Sequence, residues 1–469
     1  MIGKRPADAM LNRSEFQGAI RDVCAKGKGE QLSQQSLLQQ VMDIRREERP
    51  QALLMALYFF LVITSFWILK PLKKGLFIEF YDQTGFDFLG WQMTAAQAEL
   101  LAKVGNMLVA LVAATVFAFL AHWLRRQQLT YVFAAFSILC YLVYGFLLRD
   151  PQAPTVWTFY FYGDLFNTLM VTTFFAFLND SVTPRQAKRL YGLIVLGGVL
   201  GGVVGSTLVR ARLEAYSLTQ WMWICLCVAG LILITSFLAA RSFGFKPAQQ
   251  VEPRDQRKNQ NPVTEGARLV LNSRYLLSIA LILGLYEMVS TIMDFQFTSA
   301  VSHYLDGPAI LDYFAWVYVV TNWISFLVQL FLTSLIMTRF GVGTALLFLP
   351  VAALLSSAGF LITPALLFGG ALSVSDNALN YSINQSSRET LYVPTTREEK
   401  YKAKAFIDMF IQRFAKALAV GLSLVITTLF AGFANLRWLS IATVIILVIW
   451  IQAARFAGKE FQKLAGENH

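Results

Sequence analysis

The chain has 469 residues, 56% hydrophobic and 14% aromatic, with 40 basic against 29 acidic side chains for a net charge of +11. At a mean hydropathy of +0.51, no globular surface could hide so much apolar side chain, which excludes a soluble protein and leaves an integral membrane protein. The positive charge is dispersed over alternate loops, which argues against a nucleic-acid partner.

Residues 1–50 are polar and of mixed charge, with Asp8, Glu15, Asp22, Glu30, Asp43, Glu47 and Glu48 among the bases. They lack an early apolar core, so they read neither as a secretory signal nor as a transit peptide, and 33–49 is expected to be a short helix leading into the membrane. Apolar runs of about 20 residues, enough to cross roughly 30 Å of hydrocarbon, are expected near 51–80, 98–122, 129–149, 155–179, 188–210 and 219–240. Six more are expected near 275–300, 310–338, 342–363, 365–387, 402–432 and 437–456. The fold class is therefore all-α and integral to the membrane, with about twelve transmembrane helices.

The first span carries Lys70, Lys73 and Lys74 between Ile68 and Leu76-Phe77-Ile78. Snorkelling anchors are one reading, but the lysines lie toward the side where basic anchors are disfavoured, so a cavity role is expected. In the fourth span Asp164, Thr168 and Thr172 follow a four-residue step toward Asn179 and Asp180. The fifth span overlays Gly197, Gly201 and Gly205 on Gly198 and Gly202, a spacing that lets helix backbones approach closely. Cys225-Leu-Cys227 in the sixth lacks a second ligand pair, so no metal site is expected.

Residues 241–274 form a basic linker, with Arg241, Lys246, Arg254, Arg257, Lys258, Arg268 and Arg274 against Glu252, Asp255 and Glu265. The seventh span holds Glu287 and Asp294, the latter at the place that the lysines occupy in the first. They could form a gating pair or bind opposite parts of a charged substrate. In the tenth, Asp376, Asn380 and Asn384 repeat the step seen in the fourth, and helix–helix hydrogen bonding and substrate contact both stand as readings. Lys404, Asp408, Gln412 and Lys416 step by four along the eleventh, so one side of it is expected to face water or solute. Charge at bilayer depth costs a few kcal/mol and normally faces a bundle interior or an aqueous path.

The organisation expected is a tail (1–50), a six-helix half (51–240), the linker (241–274), a second half (275–456) and a C-terminal tail (457–469). Basic clusters at Arg125–Arg126, Arg185–Arg189, the linker, Arg339, Arg388–Lys404 and Arg455–Lys463 alternate with loops holding Glu79, Asp82, Asp87, Asp306 and Asp312. That pattern puts both termini and the linker in the cytoplasm. Two repeated halves around a basic linker is the plan of carriers that hold substrate near mid-membrane. His122, His303 and His469 lie near span ends or the terminus, and no nucleophile–base arrangement appears, so neither an enzyme nor a cofactor is expected.

Four segments resemble the nucleotide transporters of the ATP/ADP translocase type of intracellular bacteria and plastids, a branch similar to the major facilitator fold. Leu69-Lys70-Pro71-Leu72-Lys73-Lys74 resembles the family's Leu-Arg-Asp-Thr-Lys-Asp, placing its substrate-linked lysine on Lys73. Phe175–Asp180 and Ala187–Tyr191 resemble its fourth-to-fifth junction, and Asp180 and Asp294 stand where it has glutamates. Glu389-Thr-Leu-Tyr-Val-Pro and Lys400-Tyr-Lys402-Ala-Lys404-Ala-Phe-Ile-Asp408 resemble its loop and eleventh-span entry. The resemblance implies a bacterial inner-membrane carrier with a central basic site, exchanging a phosphorylated anion, most simply ATP for ADP. Its expected site residues are Lys70, Lys73, Asn179, Asp180, Asp294, Lys402, Lys404 and Asp408, with Lys73 and Lys404 on phosphates and the two aspartates at gates or on base and ribose. Two alternatives stand beside it. One is a carrier or flippase for another organic anion or a lysophospholipid, with proton coupling through Asp294 or Asp408 as one form. The other is a non-transporting membrane sensor or assembly factor. The partners expected are the lipid bilayer and the anion, with no nucleic acid, and oligomeric state is not read from the sequence.

Overall fold

The structure is a computed structural model that describes residues 48–182, 184–242 and 262–467. Outside the described residues lie most of the expected 33–49 helix, the side chains of Arg185, Lys188, Arg189 and Lys400, the linker stretch 243–261 and the last two residues.

Eleven helices among the described residues are long and apolar enough to cross a membrane. Six come before the linker: Arg49–Thr84, Ala95–Trp123, Arg126–Leu147, Ala153–Ser181, Pro184–Arg212 and Leu218–Ser242. Arg274–Tyr304, Pro308–Arg339, Gly341–Ile362, Lys402–Leu429 and Phe433–Ala465 follow it. The exception to the expected twelve is the tenth segment, a helix Leu366–Leu379 continued through a π turn, Asn380–Asn384, into Gln385–Leu391. Its regular part is 14 residues long, and Asp376, Asn377, Asn380 and Asn384 make the segment as a whole less apolar than the other spans. The ordinal names of the twelve spans are kept below.

Local chemistry sets the boundaries. Pro50 suits the first turn of the first span, where its missing N–H is no loss. Gly85 ends that span at φ 71°, a left-handed conformation that costs glycine nothing, with its N–H on Tyr81 O. Capping boxes start the second span, at Thr94 and Gln97, and the eleventh, at Thr396 and Glu399. A small antiparallel hairpin, β1 (Phe86–Phe88) and β2 (Trp91–Met93), caps one end of the bundle, an addition to the all-α expectation.

The glycine series of the fifth span is packed directly on the first. A Cβ on Gly197 would fall 2.5 Å from Ala56 O and one on Gly205 2.6 Å from Thr64 O, with Gly201 set against Phe60 O in the same way. Only glycine permits this backbone contact. One apolar core joins the first six spans and draws in Phe297, Phe314 and Tyr318 of the seventh and eighth; a second joins the remaining spans and takes Ala96 and Leu100 from the second. Part of the linker is itself helical: Pro262–Asn272 lies against the start of the eleventh span, where Gly266 nears Lys402 O and Glu265 pairs with Lys402 at 2.7 Å. Val270 is buried there, which a reading of the linker as uniformly polar did not anticipate.

Candidate functional site

Lys70, Lys73 and Lys74 lie 21 to 25 residues from Arg49 in a helix of 36 residues, or about 32–38 Å along an axis of roughly 54 Å. They enter a central cavity of about 470 Å³ walled by both halves of the bundle.

The charges that wall it balance. Among the described residues, Lys70, Lys73, Lys74, Lys103, Arg413 and Lys416 face Glu99, Asp164, Glu287, Asp294, Asp376 and Asp408, six cations against six carboxylates. The expected basic site is therefore formally neutral, because the second span contributes Glu99 and other spans contribute the remaining carboxylates.

Pairing divides these groups. Lys73, 5% exposed, pairs with Asp164, which also accepts from Asn106, and lies over the Tyr160 ring at 4.6 Å. Lys74 reaches Asp294 at 2.8 Å and Glu99 at 3.3 Å, while Lys103 pairs with Asp294 and lies 3.5 Å from Glu99. The four form a closed ring of two cations and two anions. Glu99, 1% exposed, also accepts from Tyr160 Oη at 2.8 Å and Thr298 Oγ1 at 3.3 Å. Buried charges are tolerable only when so compensated. Since Asp294 belongs to the second half and its partners to the first, the ring ties the halves together.

Other links between the halves lie toward the Thr84 end. Ser302 Oγ donates to Asp82 at 2.9 Å, Arg210 pairs with Asp312 at 2.9 Å, and Gln97 Nε2 donates to Thr427 at 3.0 Å.

Of the residues expected from sequence, the cavity holds Lys70, Lys73, Asp294 and Asp408. Lys404 stands one turn from Asp408 toward the Arg49 end, where Glu389 takes its ammonium at 2.6 Å and the Tyr392 ring lies 5.5 Å away. Lys402 is held by Glu265 at the linker helix. Asn179 accepts from Tyr191 and Asp180 lies 3.9 Å from Arg126, both exposed at that same end and away from the cavity. Of the four-residue steps, Asp164, Thr168, Asp376, Asp408, Gln412 and Lys416 reach the cavity. Asp376 there accepts from Ser290 Oγ at 2.6 Å, while Asn384 instead donates to Asn380 at 3.1 Å.

Three charged residues of the wall had not been singled out. Glu99 and Lys103 are one helical turn apart in the second span, a signal legible in an otherwise apolar run. Arg413 enters because the π turn Ile407–Ile411 hydrogen-bonds Gln412 N to Ile407 O. That spacing stacks residues five apart, so Arg413 follows Asp408 onto the cavity side.

Comparison with known proteins bears on what such a site does. The family model described as Major Facilitator Superfamily matches residues 55–391, and that described as TLC ATP/ADP transporter matches 361–461. A relative from Chlamydia muridarum, "ADP,ATP carrier protein 1", is 23% identical over 89% of this chain and 90% of its own. A protein of the same name from Chlamydia pneumoniae is 22% identical over 89% and 92%. Among solved structures, a point mutant of the nucleoside transporter NupG superposes with a TM-score of 0.63 at 12% identity, covering 87% of this chain and 99% of that one; at such identity the likeness concerns the fold alone.

Proposed function

Because the chain belongs to the Major Facilitator Superfamily and is a membrane transporter, not an enzyme, we propose that it exchanges nucleotides, ATP for ADP or a closely related phosphorylated anion, by alternating access. The observation that carries this reading is the central cavity, walled by both halves and lined by charge at mid-depth, in a chain whose relatives over most of its length are named ADP,ATP carriers. Those relatives do not favour a lysophospholipid flippase or a non-transporting sensor.

The halves rock about the cavity. The ring of Lys74, Lys103, Glu99 and Asp294 closes the Thr84 end and opens when Asp294 withdraws with the second half. Lys404 and Glu389, with Asp180 and Arg126, stand at the opposite mouth, where Lys404 meets the anion on its way in. The basic loops of that mouth support a cytoplasmic placement for it, both termini and the linker in a bacterial inner membrane.

The test is uptake of labelled ATP by liposomes containing the purified protein, loaded with ADP or left empty. Uptake that requires internal ADP supports exchange; equal uptake in both overturns it in favour of a uniporter or an ion-coupled carrier.

A further inference from the structure

We propose that the substrate's phosphates bind to Lys70, Arg413 and Lys416, the three cavity cations with no carboxylate partner among the described residues, and not to Lys73, Lys74 or Lys103. The proposal rests on the reading of the cargo as a phosphorylated anion and names the part of the wall that holds it.

Lys70 is half-buried and held as a cation without being neutralised. Its ammonium lies 4.4 Å from the Trp67 ring centroid, 4.8 Å from Tyr318 and 5.7 Å from Tyr381, and donates to Asn377 Oδ1 at 3.3 Å. Rings stabilise an ammonium through their quadrupole and leave its charge available. Asn377 occupies one of its three N–H groups. On the eleventh span, Arg413 spends a single Nη1 donor on Met107 O at 3.1 Å. Its remaining N–H groups form the fork that matches phosphate geometry. Lys416 follows three residues later on the same wall.

The other lysines are occupied. An anion arriving at Lys73 must displace Asp164, and one arriving at Lys74 or Lys103 must break a ring that includes a carboxylate with 1% exposure. Breaking the ring would strand Glu99 away from water, the costliest way to break such a pair, and Asp164, 42% exposed, would stay beside the arriving anion and repel it. No such exchange is needed at Lys70. Since Lys70 sits against the eighth and tenth spans and Arg413 against the second, the ligand class favoured is an anion with charge spread along a chain, a diphosphate or longer, which touches both groups at once. A single phosphate meets one of them.

The probe is inorganic pyrophosphate, titrated calorimetrically into the full-length purified protein. Lys70→Gln and Arg413→Gln should each weaken binding about ten- to hundred-fold, the size of a lost charge-assisted hydrogen bond, while Lys70→Arg retains it. Lys73→Gln combined with Asp164→Asn, which removes that pair and leaves the net charge of the wall unchanged, should bind pyrophosphate within about threefold of the parent. Thermal unfolding of each variant shows whether it is folded; should Lys70→Gln fail to fold, Arg413→Gln and Lys416→Gln carry the test. Parent-like binding by the folded Lys70→Gln and Arg413→Gln, a loss in the Lys73→Gln, Asp164→Asn double variant as large as theirs, or no binding by the parent protein would overturn the proposal. Binding of pyrophosphate by the parent without binding of ATP or ADP would keep the phosphate site and remove the nucleotide reading.

Discussion

Asp294→Asn isolates the role of the four-charge ring. In the parent the ring holds two cations and two carboxylates, with Asp294 26% exposed, Lys103 13%, Lys74 6% and Glu99 1%. The substitution leaves two lysines sharing Glu99, at 3.3 and 3.5 Å, and one uncompensated positive charge. Breaking a fully buried pair costs about 3–5 kcal/mol, and the partial exposure of Asp294 lowers this to roughly 2–4 kcal/mol. The cost falls only on the state in which the Thr84 end is closed. When that end opens, Lys74 and Lys103 stay with Glu99 in their own half while Asp294 leaves. The equilibrium should therefore move toward the open state by about 30- to 700-fold, at tenfold for each 1.4 kcal/mol. Spin labels at Leu89, 93% exposed on the hairpin, and Ile362, 80% exposed at the end of the ninth span, report the separation of the halves at this end. In a background lacking the native cysteines, the distance distribution should shift to longer values in Asp294→Asn. An unchanged distribution, in protein shown to be folded, would refute the idea that the ring is the closure.

Gly201→Val should destabilise the bundle by about 1–3 kcal/mol or more, because its Cβ meets the backbone carbonyl of Phe60 and not a side chain that can move; a parent-like thermal midpoint in detergent would show that the contact is not tight. Lys404→Gln should abolish exchange with little change in that midpoint, since the side chain is 32% exposed and paired with a still more exposed Glu389; parent-like uptake would remove it from the pathway. Glu265→Gln frees the linker helix from Lys402, and should change the exchange rate at saturating ATP while leaving the half-saturating concentration in place; a shift in the latter alone would contradict a purely mechanical role.

The spans were readable because an apolar run of membrane length has few other uses: 275–300 became Arg274–Tyr304 and 219–240 became Leu218–Ser242. The glycine spacing of the fifth span likewise named its consequence, though not its partner, the first span. What could not be read was the neutralisation of the lysines. Lys73 and Lys74 look like free cations in the sequence, and their partners Asp164, Glu99 and Asp294 lie in three other spans. Arg413 escaped because a four-residue step presumes a regular helix, and the π turn at Ile407–Ile411 shifts the phase by one residue. Lys404 shares its side of the eleventh span with Asp408 but stands a turn closer to the membrane edge, and periodicity says nothing of height.

The central claim is tested most directly by trapping labelled ADP inside proteoliposomes and adding ATP outside. Alternating access around one shared cavity predicts that ADP leaves only while ATP enters, one for one, and that the release stops in Lys73→Gln. Release of ADP with no nucleotide outside, or ATP entry with ADP retained, would contradict exchange through this site.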